Sequence, residues 1–222
     1  MYMNASFAGD KKVGKNILSR AETVLINRYI DRVPLWLETY HLTLMTIGWS
    51  AGVIIFGYLT RYNWHWLWAT SLMIILQYIT DLFDGAVGRK RNTGLIKWGY
   101  YMDHFLDYIF LCSLLIGYAF IIPASFFNMY FFILAILGSF MVNSYLAFAA
   151  TNQFRISYLG IGPTEIRLLF LVIDLTLIIF GKTYIAWSLP TILIITVIGL
   201  CITVYRTQKE IWEIDMKKKK KQ

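Results

Sequence analysis

The sequence predicts an all-α integral membrane protein, with six transmembrane helices preceded by an interfacial amphipathic helix. Three observations predict it. Of the 222 residues, 58% are hydrophobic and 15% charged, against about a quarter charged in soluble domains, and the mean hydropathy is +0.55. The apolar residues gather in six continuous blocks, each near the roughly 20 residues that cross a bilayer. Those blocks lack the strict alternation of barrel strands. Backbone in hydrocarbon has to satisfy its own polar groups, which leaves helices.

Residues 1–37 read as a cytoplasmic N-terminus, 38–206 as the membrane domain and 207–222 as a basic cytoplasmic tail. Met1 to Lys15 carries charge without a following apolar stretch, so it does not read as a cleaved signal peptide. From Asn16 to Pro34, Ile17, Leu18, Val24, Leu25, Ile26, Tyr29 and Ile30 alternate with Arg20, Glu22, Arg28 and Arg32. This is the pattern of a helix lying in the interface, and Pro34 turns the chain inward. The predicted spans are Thr39–Leu59, Trp64–Thr80, Leu95–Ile122, Phe126–Ala150, Pro163–Phe180 and Tyr184–Tyr205. Cys112 and Cys201 fall inside spans and read as small buried hydrophobes rather than a disulfide framework.

The net charge of +8 is distributed for orientation rather than for nucleic acid. Nineteen of the 21 Lys and Arg precede the first span, lie around the second-to-third connection, flank the fifth span or follow the sixth; Arg61 and Lys182 are the exceptions. The positive-inside rule therefore puts both termini and the second-to-third connection in the cytoplasm. The run Lys217 to Lys221 is placed to attract anionic lipid.

Around that connection the chain reads DLFDGAVGR from Asp81 to Arg89 and GYYMDHFLD from Gly99 to Asp107. Asp81 and Asp84 are three apart and Asp103 and Asp107 four apart, so each pair shares a helix face. A short basic connection predicts antiparallel neighbouring helices whose carboxylate faces meet. An ionised carboxylate at membrane depth costs at least about 2.5–3.5 kcal/mol, and four together repel one another. Hard oxygen donors on rigid helices suit Mg²⁺ or Mn²⁺, and two ions would balance four carboxylates. No Cys/His set competes for zinc, because the helical step turns His104 about 100° away from Asp103. Gly85, Gly88 and Gly99 leave space near the carboxylates, and Arg89 offers a fork suited to phosphate. The arrangement describes a pocket for a metal-bound polyphosphate. A lone aspartate such as Asp174 in the fifth span is expected to have a structural place.

These residues resemble the signature of the CDP-alcohol phosphotransferases, D-x₂-D-G-x₂-A-R-x₍₇₋₉₎-G-x₃-D-x₃-D, which here runs Asp81, Asp84, Gly85, Gly88, Arg89, Gly99, Asp103, Asp107, with Gly88 in place of alanine. The resemblance implies a CDP-linked donor, most readily CDP-diacylglycerol, whose substituted phosphate passes to an acceptor hydroxyl with release of CMP. It implies Asp81, Asp84 and Asp103 as metal ligands, with Asp107 completing the site and acting as general base. It implies Gly85 and Arg89 along the nucleotide and its phosphates, Gly88 and Gly99 as room for cytidine, and a homodimer. His41 stands where many relatives have asparagine. Met45, Thr46 and Ile47 follow Thr43 where relatives with small soluble acceptors often carry arginine.

The stretch GIGPTEIR, Gly160 to Arg167, offers Glu165 and Arg167 at a cytoplasmic helix start, with Arg155 just before and a polar line from Asn143 through Ser144, Asn152 and Gln153. These are candidates for binding the acceptor. Inositol or its phosphate, glycerol phosphate, serine and a lipid alcohol all remain compatible. The chain's size argues against the larger choline- and ethanolamine-type relatives. A membrane prenyltransferase would need a second aspartate-rich motif and more spans. A divalent-cation carrier would place its site near the midplane in repeated halves, and neither feature is present.

Overall fold

The computed structural model describes residues 12–13, 18–93, 95–155 and 162–219, with no account of the side chains of residues 12–13, 154–155 and 218. Among the described residues seven α-helices carry the fold: α1 Ser19–Tyr29, α2 Thr39–Leu59, α3 Trp66–Arg91, α4 Ile96–Ala119, α5 Phe127–Thr151, α6 Pro163–Phe180 and α7 Ile185–Lys219. A two-residue parallel pair, β1 Lys12–Val13 with β2 Phe154–Arg155, is the sole strand pairing among the described residues. Five helices, α2, α3, α4, α5 with its preceding turn, and α7, are long and apolar enough to cross a membrane. The 18 residues of α6 include three charges, Glu165, Arg167 and Asp174.

Local chemistry explains the helix ends. At the start of α2 the Glu38 amide donates to His41 Nδ1 at 3.1 Å, one half of a capping box. That is the place the structure gives His41. Pro163 opens α6, where its missing N–H costs nothing. Asn92 and Asn152 end α3 and α5 in the left-handed conformation, with φ of 51° and 55°, which asparagine tolerates better than most residues. Two elements run past their predicted bounds. Helix α3 continues through the aspartates to Arg91, and α7 continues to Lys219, because charged residues such as Arg, Lys and Glu are good helix formers once hydrocarbon ends.

The main core joins α2, α3, α4 and α6 through Val53, Leu67, Ile74, Phe110, Leu114 and Phe170. Helix α2 lies along both α3 and α4, which touch each other far less than the predicted neighbours would. Near the far end of α2 the packing is backbone on backbone: a Cβ on Gly57 would stand 2.6 Å from the Gly117 Cα. At the near end a smaller cluster of Leu42, Phe83 and Val87 seats Tyr29, Ile30, Val33 and Leu37. The Arg91 guanidinium staples that turn, donating to the carbonyls of Val33, Pro34 and Leu37 at 2.8–3.0 Å. Asp174 is fully buried and accepts from Ser71 Oγ and from Tyr118 OH, both at 2.7 Å. It therefore ties α6 to α3 and α4, and its buried carboxylate oxygens are both satisfied. Phe131, Phe132, Ile194 and Ile195 on α5 and α7 face outward, as a bilayer solvent permits.

Candidate active site

The last turns of α3 and the first turns of α4 carry the motif, and α1, α2 and α6 close around them. One carboxylate oxygen from each of Asp81, Asp103 and Asp107 lies within 4.8 Å of the others. The two helices thus bring together three of the four predicted carboxylates. Asp84 is set slightly aside. Three residues along a helix is 300°, so its carboxylate stands about 60° from that of Asp81. It turns to α2, where Thr43 Oγ1 donates to Asp84 Oδ2 at 3.0 Å. The Gly85 amide caps its other oxygen. Thr39 Oγ1, also on α2, donates to the Asp84 carbonyl at 2.7 Å.

Arg167 of α6 enters the carboxylate group directly. Its Nη2 lies 2.7 Å from Asp81 Oδ2 and 3.2 Å from Asp107 Oδ1, and its guanidinium stacks 5.7 Å from the centroid of the Tyr78 ring. A buried cation between two carboxylates compensates part of the charge that no bilayer would tolerate alone. Gln77 Nε2 also donates to Asp107 Oδ1 at 3.1 Å, so one oxygen of Asp107 is held by two donors from different helices.

A pocket of about 520 Å³ opens onto this group. Asp81, Asp84 and Asp103 line it together with Gly85, Gly88, Arg89, Gly99 and Arg167, so the predicted phosphate and nucleotide residues share one cavity with the carboxylates. Arg89 lies over Gly85, its Nη1 3.2 Å from where a Cβ would be. A Cβ on Gly99 would meet nothing within 4 Å, so this glycine borders open space. Gly88 instead faces Thr39, at 3.3 Å from the same construction, and serves close packing of α2 on α3.

The other candidates are distributed differently. Glu165 Oε2 accepts from the Gly162 amide at 2.8 Å and so caps α6. The backbone of Arg155 sits in β2, while its side chain and Gly160 lie outside the described residues. Asn143 reaches Thr207 on α7 at 3.4 Å, and none of Asn143, Ser144, Asn152 and Gln153 lines the pocket. His104 does not turn away from Asp103. Its Nδ1 lies 3.2 Å from Asp103 Oδ2, because the ring packs on Tyr100, with centroids 4.4 Å apart, and bends back along the helix.

Sequence reading missed Gln77, Tyr78 and Glu22. The signal for Gln77 was present, since it precedes Asp81 by four residues and shares its face. Glu22 had none: it sits on α1, more than fifty residues from the motif, yet its carboxylate lines the pocket.

The donor set fits a hard divalent cation. Three carboxylates converge with oxygens within 4.8 Å, and a cation, the Arg167 guanidinium, already bridges two of them. Such ions take oxygen ligands of this kind.

Among curated proteins and among solved structures, nothing matches the chain. The model of one family, described as CDP-alcohol phosphatidyltransferase, matches residues 40–205, from the start of α2 to within α7 and including the whole motif. With its apolar helices, its clustered carboxylates and its complete D-x₂-D-G…D-x₃-D signature, the chain belongs to the CDP-alcohol phosphatidyltransferases, a family of phosphotransferases.

Proposed function

We propose that the chain catalyses the metal-dependent transfer of a substituted phosphate from a CDP-linked donor, CDP-diacylglycerol, to an acceptor hydroxyl, releasing CMP in phospholipid synthesis. The observation that carries this reading is the convergence of carboxylate oxygens from Asp81, Asp103 and Asp107, two of which, Asp81 and Asp103, line a pocket together with Gly85, Arg89 and Gly99.

Mg²⁺ or Mn²⁺, two ions by charge balance, would be held by Asp81, Asp84, Asp103 and Asp107, and would neutralise the donor's pyrophosphate and the charge that develops on transfer. Gly99 and Gly85 leave room for the nucleotide, and Arg89 gives its phosphates a fixed positive partner. The acceptor oxygen attacks the phosphorus that carries the diacylglycerol. The bond from that phosphorus to the CMP oxygen breaks, and Asp107 takes the hydroxyl proton. Gln77 and Arg167 hold Asp107 Oδ1, which fixes the orientation of the base. Arg167 borders the acceptor side, with Glu165 two residues before it on α6; Arg155 is the further acceptor candidate.

The same reading makes α6 a sixth crossing. Its 18 residues span about 27 Å, and each of its charges has a partner: Glu165 the Gly162 amide, Arg167 the aspartates, Asp174 the Ser71 and Tyr118 hydroxyls. Six crossings put both termini and the pocket on one side, and the basic residues make that side the cytoplasm. Helix α1, with Val24 exposed and Ile26 at the pocket, then lies in the interface.

The test is CMP release by purified protein with Mg²⁺ or Mn²⁺, supplied with CDP-diacylglycerol or CDP-choline and a panel of acceptors. CDP-diacylglycerol is expected to be the productive donor, and chelation to stop turnover. Asp107→Asn is expected to lower CMP release by about 10²–10⁴-fold while the purified protein keeps its helical circular dichroism. An unchanged rate would exclude Asp107 as the base.

A further inference from the structure

Resting on that reading, the pocket is lined by α1 and α6 as well as by the motif helices α3 and α4. Helix α1 contributes Glu22 to that lining. Its Oε1 accepts two hydrogen bonds, from Thr164 Oγ1 of α6 at 2.7 Å and from Tyr78 OH of α3 at 3.0 Å. Its Oε2 takes none among the described residues. Glu22 is half-buried and lines the cavity, as do Tyr78, Thr164 and Arg167.

The charges around Glu22 are fixed by neighbours. Arg167 stands three residues after Thr164, and Asp81 three after Tyr78, so both partners of Glu22 share a helix face with a member of the Arg167–Asp81 ion pair. Arg167 is shared between Asp81 and Asp107, and Arg89 lies over Gly85. The carboxylate of Glu22 is thus an acceptor that α1 adds to the pocket, seated on Tyr78 and Thr164 one helical turn from the Arg167–Asp81 pair. A carboxylate there accepts hydrogen bonds from hydroxyl or ammonium groups and repels phosphate.

We infer that Glu22 is a specificity-determining residue: it selects a phosphate-free polyol or amino alcohol as the acceptor, bonding the end of that molecule remote from the attacking hydroxyl. The chain that carries it is the interfacial helix, so acceptor choice is made by an element outside the membrane-spanning motif.

The experiment measures CMP release from CDP-diacylglycerol with myo-inositol, glycerol, L-serine and ethanolamine, against sn-glycerol 3-phosphate, inositol 1-phosphate and diacylglycerol, for the natural protein, Glu22→Gln and the double variant Tyr78→Phe/Thr164→Val. The natural protein is expected to favour one of the phosphate-free polar acceptors. Glu22→Gln is expected to raise the KM for that acceptor roughly tenfold to a hundredfold, with the KM for CDP-diacylglycerol unchanged. It is also expected to narrow the preference over the phosphorylated acceptors, because the repelling charge is gone. The double variant keeps the charge while loosening α1, so it is expected to lower turnover of all acceptors in the same proportion. A phosphorylated acceptor or diacylglycerol preferred by the natural protein overturns the inference. So does a Glu22→Gln whose defect is equal for every acceptor, which would make Glu22 only a latch for α1. No CMP with any acceptor would instead strike the proposed reaction itself.

Discussion

Replacing Arg167 with glutamine tests whether the carboxylates are assembled for a cation. Arg167 is 8% exposed, and the side chains it bridges, Asp81 and Asp107, are 19% and 24% exposed. Removing one partner of a buried ion pair costs about 3–5 kcal/mol, because the remaining charges are left uncompensated. Partial exposure of the aspartates places this case near the lower figure. For a chain of this length each kcal/mol moves the melting temperature by about 2–4 °C, so metal-free Arg167→Gln is expected to melt roughly 6–12 °C below the natural protein. Divalent metal should then act in the opposite direction. A ligand at about 100 times its Kd stabilises by about 2.7 kcal/mol. In the natural protein the guanidinium holds oxygens that the metal needs, whereas in the variant it does not. Thermal unfolding in detergent, with Mn²⁺ titrated into chelator-treated protein, is therefore expected to show a larger metal-induced rise for the variant and a narrowing gap between the two proteins. Equal melting temperatures without metal, or identical rises with it, would refute the account of the site as a carboxylate group sharing one cation.

Two further substitutions probe how α2 supports the site. Thr43→Val removes the hydroxyl that donates to Asp84 Oδ2 in a buried setting, so a loss of about 1–3 kcal/mol is expected, read as a lower melting temperature together with weaker Mn²⁺ binding. Gly57→Ala places a methyl 2.6 Å from the Gly117 Cα, and backbone cannot move aside as a side chain can. The expected cost is about 1–3 kcal/mol, and Gly48→Ala, which meets nothing within 4 Å, is the matched control that should leave the melting temperature in place.

Much of this molecule was legible because bilayer chemistry writes in long blocks. The bounds of α2 and α6 follow directly from apolar runs and from Pro163, and the aspartate spacing anticipated the meeting of Asp81 with Asp103 and Asp107. What was hidden depends on tertiary approach. Helical spacing put Asp84 with Asp81, but the hydroxyl of Thr43 on another helix decides where that carboxylate turns. Arg167 could be read as a polar residue near the acceptor, yet nothing local says that it reaches Asp81 and Asp107. Glu22 belonged to an amphipathic pattern in which an acid ordinarily faces water. The extension of α7 to Lys219 was lost for a different reason: hydropathy marks where hydrocarbon ends, and the backbone hydrogen bonds of a helix need not stop there.

The close contact of Gly57 with Gly117 bears on the carboxylates from a distance. Thr43, which holds Asp84, lies fourteen residues before Gly57 on α2, or about 21 Å along the axis. Helix α2 is therefore a lever with its fulcrum at the end remote from the carboxylates. A tilt of roughly 5° about that fulcrum swings the Thr43 end by about 2 Å, and misplacement by about 1 Å can cost a hundredfold in rate. The spacing of the carboxylates thus depends on a backbone contact remote from the pocket. Bilayer thickness or lateral pressure acting on the far ends of these helices has a mechanical route to the chemistry at the near ones.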